Sequence, residues 1–334
     1  MLNKKLISTA VGASIVIATG AANADIDANY YSMLFPYVVK DANRTTVITV
    51  ISTDRSRSSS NQDLHIQYWT KSTTAANTAA CEPSSSFMKV TPNDIVSFDT
   101  AGLLGFPLFG DTTNAAPLGA SISYASPRHG YLLVDDISNG LAGGYWMELD
   151  LANGGAYGDT GLGAFNNTDM QSQFFSALSL YPGTLGNIYN ATPVVFWPAS
   201  VASTVFTVTP LGTDMLTSDN SSVVMQVFNS NQVQGAYDRN ENGVDGTVPQ
   251  TVRCVGRLTA AQLMPGVVAN AAWAATGGWG YLANIGNGNA TTDACNATGD
   301  CKAVVYQVDS SNAAGAGKFM TNATMIRTYI GGAN

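Results

Sequence analysis

Residues 44–53 read R-T-T-V-I-T-V-I-S-T, a β-branched run without Gly or Pro. Such side chains are stiff at χ1 and suit a pleated surface better than a helix. Alternation places Thr46, Ile48, Val50 and Ser52 on one face and Val47, Thr49 and Ile51 on the other. Both faces carry apolar groups, which predicts a central strand of a packed sheet. Shorter runs of the same kind recur at 65–69, 121–125, 131–135, 144–151, 194–197, 204–209, 223–228, 252–258, 303–308 and 324–330. Runs 87–90 and 95–98 flank Thr91-Pro92-Asn93-Asp94, whose composition predicts a hairpin turn. The Gly-rich stretch 152–164 reads as irregular.

Helical signals are few. Thr168 and Gln171 fit a capping box ahead of Met170, Phe174 and Leu178 at four-residue spacing, with Pro182-Gly183 as the stop, so residues 168–180 are predicted helical. Thr259 and Gln262 form a second capping box before Pro265. No self-similar period stands out. The fold expected is therefore all-β: a two-sheet β-sandwich, Ig-like or jelly-roll-like, with one or two short helices. It would occupy residues 25–334, with a lobe boundary near 152–165.

Residues 1–24 have the pattern of a secretory signal: Lys4 and Lys5, an apolar stretch, then Ala22-Asn23-Ala24. Cleavage there leaves 334 minus 24, or 310, residues and no transmembrane span. Charged residues are 11% of the chain, against roughly 25% in ordinary soluble domains, and the net charge is −8. Without a basic cluster, nucleic acid and anionic membrane are poor partners. The four cysteines, Cys81, Cys254, Cys295 and Cys301, behind a signal favour disulfides. Three connectivities are open, the simplest joining Cys81 to Cys254 and Cys295 to Cys301. No C-x-x-C is present, and neither histidine stands at zinc-ligand spacing from a cysteine pair.

Residues 238–245 read D-R-N-E-N-G-V-D. Oxygen side chains at the first, third and fifth places, then Gly, match the start of a calcium loop. Asp238, Asn240, Asn242 and Asp245 are the candidate Ca²⁺ ligands. Pro249 stands where an EF-hand carries its bidentate Glu, and the competing reading is an Asx-rich turn. Trp146, Glu148 and Asp150 alternate on one strand face, and their segment M-E-L-D-L resembles the E-x-D-x-x-E strand of laminarinase-type β-jelly-roll hydrolases. Asn153 replaces the final Glu, the family's acid/base, so Glu148 and Asp150 read as a solvated strand face. His65 reads as a packed or edge residue and His129 as exposed in a Pro-Arg-His-Gly turn; no G-x-S-x-G accompanies them. No catalytic set is complete. Trp69, Trp146, Trp197, Trp273 and Trp279 are the pool from which a sugar-stacking surface would be drawn.

These features point to an exported, non-enzymatic bacterial protein of the cell envelope, surface or extracellular matrix, structural or adhesive in role. Its expected partners are itself, other envelope proteins or polysaccharide. The alternative is a secreted carbohydrate-binding or carbohydrate-active protein, stabilised by calcium.

Overall fold

Strands dominate the computed structural model, which describes residues 32–52, 62–90, 94–104, 122–135, 141–152, 154–164, 192–211, 215, 222–229, 235–284, 302–311 and 320–328. The first nine strands are β1 (Ser32–Lys40), β2 (Arg44–Ser52), β3 (Gln62–Ser72), β4 (Glu82–Val90), β5 (Ile95–Asp99), β6 (Arg128–Asp135), β7 (Leu141–Asp150), β8 (Gly155–Thr160) and β9 (Leu162–Ala164). They form one antiparallel sheet in the order β4-β3-β6-β1-β2-β7-β8, with β5 beside β2 and β9 beside β1. The β-branched run is indeed flanked on both edges, by β7 along Arg44–Ser52 and by β5 along Val47–Ile51.

This sheet folds over on itself. β1 meets β2 at one rung only, Lys40↔Thr45, then pairs with β9 at its other end. Only Gly161 separates β8 from β9, so β1, β2, β7 and β8–β9 close a ring. Glycine permits the closure. A Cβ on Gly144 would lie 2.8 Å from Met33 Sδ, and one on Gly161 2.7 Å from the same atom. Residues 155–164 are therefore strands rather than an irregular stretch. Residues 122–125 of the expected 121–125 strand are not strand; Ile122 is buried, its N–H donating to Thr100 O. The 87–98 hairpin does not form either. β4 is taken up along nine rungs by β3, and β5 pairs with β2 instead.

The remaining strands are β10 (Thr192–Phe196), β11 (Ala202–Leu211), β12 (Ser222–Phe228), β13 (Gly235–Asp238), β14 (Gly243–Asp245), β15 (Gln250–Arg253), β16 (Gly256–Thr259), β17 (Gly278–Asn284), β18 (Lys302–Ser311) and β19 (Met320–Thr328). They build a six-stranded sheet, β14-β13-β17-β12-β15 with β10 beside β17, and a four-stranded sheet, β16-β11-β18-β19. The all-β, sandwich-like class holds, with three sheets rather than two. Short helices α1 (Ala260–Leu263), α2 (Pro265–Val268) and α3 (Ala271–Thr276) follow β16. The Thr259–Gln262 capping box is present in full. The 168–180 helix, the 1–24 signal, Cys295 and Cys301 lie outside the described residues.

The four-stranded sheet is the middle layer. Val304, Tyr306 and Val308 of β18 join the core of the nine-stranded sheet, while Ala303 and Val305 join that of the six-stranded sheet, with Phe206 and Val208 of β11. Period-two alternation thus serves two cores from one strand.

All three sheets meet at one corner. Arg253 ends β15 in the six-stranded sheet and Gly256 begins β16 in the four-stranded one. Between them Val255 N–H donates to Arg253 O at 2.7 Å across Cys254, which has φ of 61°. This is a three-residue turn in the left-handed region, costly for a side-chain-bearing residue. Three contacts with the β3–β4 loop hold it. Cys254 is disulfide-bonded to Cys81, with the Cα atoms 5.9 Å apart. Asn77 accepts from Arg253 N–H through its carbonyl and pairs with both backbone groups of Arg257 through its side chain. The buried Lys71 ammonium donates to the carbonyls of Ala76, Asn77, Ala79 and Arg253 at 2.9–3.2 Å.

Lys71→Met removes the charge that gathers those carbonyls and leaves them desolvated. The expected loss is about 3 kcal/mol of unfolding free energy, read as a lower denaturant midpoint. A shift below about 0.5 kcal/mol, the size of an ordinary surface change, would contradict the clasp.

Candidate functional site

Glu148 is not on a solvated face. β7 lays Gly144, Trp146 and Glu148 along one side, under β1 and the four-stranded sheet, and Glu148 is 0% exposed. Tyr157 on β8 donates to Glu148 Oε2 at 2.5 Å. Arg44 Nη1 on β2 stands 3.8 Å from Oε1, while Arg44 Nε pairs with Asp41 at 2.6 Å. Tyr37 on β1 and Arg257 on β16 complete the group, each acting on the other's charge state. Burial pushes the Tyr37 hydroxyl up to about 12 and holds Tyr157 well above the ordinary tyrosine range, with Glu148 adding to both. The charge of Tyr37, ahead of Glu148, holds Arg257 above its ordinary value.

Trp146 closes one end of this cluster, its ring edge-on to Tyr157 at 5.6 Å and to Tyr306 at 5.1 Å. Asp150, half-buried at the strand end, instead accepts from Ala152 N–H. The two carboxylates of the hydrolase-like motif are therefore separated in role, and Asn153 lies outside the described residues. What the arrangement does chemically is neutralise: one carboxylate accepts from the Tyr157 phenol through Oε2 and is offset in charge by the Arg44 guanidinium at 3.8 Å, while Oε1 has no hydrogen-bond donor among the described residues.

His129 is buried in β6, 3% exposed, not displayed in a turn. β6 begins at Arg128, so the expected turn becomes strand, and the ring stands edge-on to Tyr37 at 6.2 Å. Burial, then the charges of Lys71, Arg257, Arg44 and Arg128, depress it to about 3, so it is neutral at physiological pH. His65 on β3 is half-exposed and stacked on Phe87 at 4.7 Å. Gln67 Nε2 bridges His65 Nδ1 at 3.2 Å and Asp135 Oδ2 at 2.9 Å. Burial pushes the Asp135 carboxyl up to about 6, against the Gln67 hydrogen bond.

The 238–245 segment is the β13–β14 hairpin. Asp238 Oδ1 accepts from the N–H groups of Asn240 and Asn242 and Oδ2 from the Asn242 side chain, while Glu241 takes φ of 65°. The structure brings Asp238 and Asn242 together as an Asx turn. Asp245 lies opposite Gly235, three rungs along the hairpin and about 10 Å from the Asp238 end. Among the described residues no group of three or more His, Cys, Asp or Glu is placed to hold a metal.

Of the tryptophans, Trp69, Trp146 and Trp273 are buried. Trp197 is 47% exposed, and Trp279 is half-buried on the outer face of the six-stranded sheet. There Trp279 meets Tyr237 at 4.7 Å and Tyr281 at 5.7 Å, beside exposed Val195 on β10. Among the described residues no helix is long and apolar enough to cross a membrane. Compared with protein-family models, curated proteins and solved structures, the chain matches none.

Reading the sequence alone missed Tyr37, Arg44, Tyr157 and Arg257 as partners of Glu148. One signal was available: Glu148 shares strand parity with Trp146, and a face that buries a tryptophan buries its neighbour.

Two outcomes follow. Glu148→Ala leaves the buried Tyr157 hydroxyl without its acceptor and removes the carboxylate beside Arg44, with an expected cost of about 3–5 kcal/mol of unfolding free energy, read from the denaturant midpoint; an unchanged midpoint would contradict a structural carboxylate. Asp135 binds its proton more tightly folded than unfolded. Its support is complete below an unfolded pKa of about 3.9 and is withdrawn as pH rises through about 6. His129 acts oppositely, costing stability as pH falls below about 6.5, so the two are separated by a variant. The Tm of Asp135→Asn minus that of the wild type should grow from pH 4 to pH 7, and a constant difference would contradict the assignment.

Proposed function

We propose that this chain is an exported, non-enzymatic structural or adhesive protein of the bacterial envelope, surface or extracellular matrix. The observation that carries the proposal is the Cys81–Cys254 bond, a long-range disulfide behind an N-terminal segment patterned as a secretory signal. Disulfides of this kind persist in oxidising compartments. The middle-sheet architecture supports a load-resisting role, since one strand pair, β11–β18, serves both cores along ten rungs. Its ionisable clusters are matched within the fold rather than displayed, as with Glu148, Tyr157 and Arg44.

The outer face of the six-stranded sheet favours a second reading, polysaccharide binding through Tyr237, Trp279 and Tyr281. Titration of a polysaccharide panel against tryptophan fluorescence tests it, with Trp279→Ala expected to abolish any response. A response unchanged in that variant would rule this face out.

For the leading reading, thiol trapping and N-terminal sequencing of the protein from its native cells are decisive. An oxidised Cys81–Cys254 pair outside the cytoplasm, with the chain beginning at Asp25, is the expected result. A reduced, full-length cytoplasmic chain would overturn it.

A further inference from the structure

We propose that Thr204 and Gln307 are joined by a self-formed ester bond across β11 and β18, with Asp309 as the catalytic base. The three side chains share the face of the middle sheet that turns towards the six-stranded sheet. Thr204 lies directly opposite Asp309, and Gln307 is the next residue on that face, diagonal to Thr204. Diagonal neighbours are within reach of long side chains. All three are buried, with Thr204 at 6%, Gln307 at 9% and Asp309 at 2% exposure.

The hydrogen bonds orient the reacting groups. Thr204 Oγ1 donates to Asp309 Oδ1 at 2.6 Å, so the carboxylate is in place to take the proton that attack must release. Gln307 Nε2 donates to Asp309 Oδ2 at 2.9 Å and to Val195 O at 2.9 Å. Both amide hydrogens are thereby used, and a flipped amide would set its oxygen against two acceptors. One carboxylate thus holds the nucleophile's hydroxyl and the leaving nitrogen together. The held geometry supplies proximity. Exclusion of water protects the product from hydrolysis.

The step balances without a co-reactant. Thr204 Oγ1 passes its proton to Asp309 and bonds to Gln307 Cδ. The Cδ–Nε2 bond breaks, Asp309 returns the proton to Nε2, and ammonia leaves. Its loss to bulk solvent draws the reaction towards the ester. The product welds two strands that stand 103 residues apart (307 minus 204) at the layer shared by both cores. The inference stands whether or not the chain is exported.

Purified full-length protein, denatured and reduced, is weighed by intact mass spectrometry beside Thr204→Val, Thr204→Ser and Asp309→Asn prepared alike. After allowance for the substitutions, the wild type and Thr204→Ser should lack the mass of one ammonia that Thr204→Val and Asp309→Asn retain. Proteolysis of the wild type should give one joined species containing Thr204 and Gln307, which alkaline hydroxylamine separates. Should a variant not fold, the wild type alone decides. Its full sequence mass, with Thr204 and Gln307 recovered on separate peptides, overturns the proposal, as does an ammonia deficit that persists in folded Thr204→Val.

Discussion

Three sheets are fixed relative to one another where the Lys71 ammonium gathers four backbone carbonyls beside the Cys81–Cys254 bond. One of those carbonyls belongs to Arg253, at the step from the six-stranded to the four-stranded sheet. The other three belong to the loop that ends at Cys81, between β3 and β4 of the nine-stranded sheet. A buried cation without such partners would be costly. With them it organises a loop that has no strand pairing of its own. The left-handed turn at Cys254 is the strain this corner contains, and a disulfide closing a 173-residue separation offsets it by constraining the unfolded chain, by about 5 kcal/mol on loop-closure grounds.

From that corner the polar interior follows. β16 begins just past the turn and carries Arg257 to Tyr37 and the Glu148 cluster. There a carboxylate from β7, phenols from β1 and β8 and guanidiniums from β2 and β16 share one site. Such matched burial contributes little net stability but costs much when broken, and so penalises other ways of stacking the sheets.

Much of the fold was legible from period-two patterning. Residues 44–52 and 303–308 are strands because β-branched runs with two apolar faces have no other good solution. The Thr259–Gln262 box was legible because a cap is local chemistry. The ring closure at Gly161 was not, because a glycine in a stretch that reads as irregular is here the residue a neighbouring methionine requires. The missing 87–98 hairpin has a similar cause: turn composition permits a hairpin, but the choice between β3 and β5 as partner for β4 is made by non-local pairing. Burial of His129 escaped notice for the same reason, whereas that of Glu148 was signalled by its shared parity with Trp146. The Asp238 loop was ambiguous because an Asx turn and a calcium loop draw on the same side chains.

The central claim is that the Lys71–Asn77–Cys254 corner holds the three sheets in register. The most direct measurement is hydrogen exchange, residue by residue, on the native protein before and after reduction by a dithiol. Amides of 73–81 and 251–255 should lose protection together, followed by Arg257 and its neighbours on β16, while Val304 and Val305 in the middle sheet stay protected. If the corner amides keep their protection on reduction, or the middle sheet opens before them, the sheets are held elsewhere and the account is wrong.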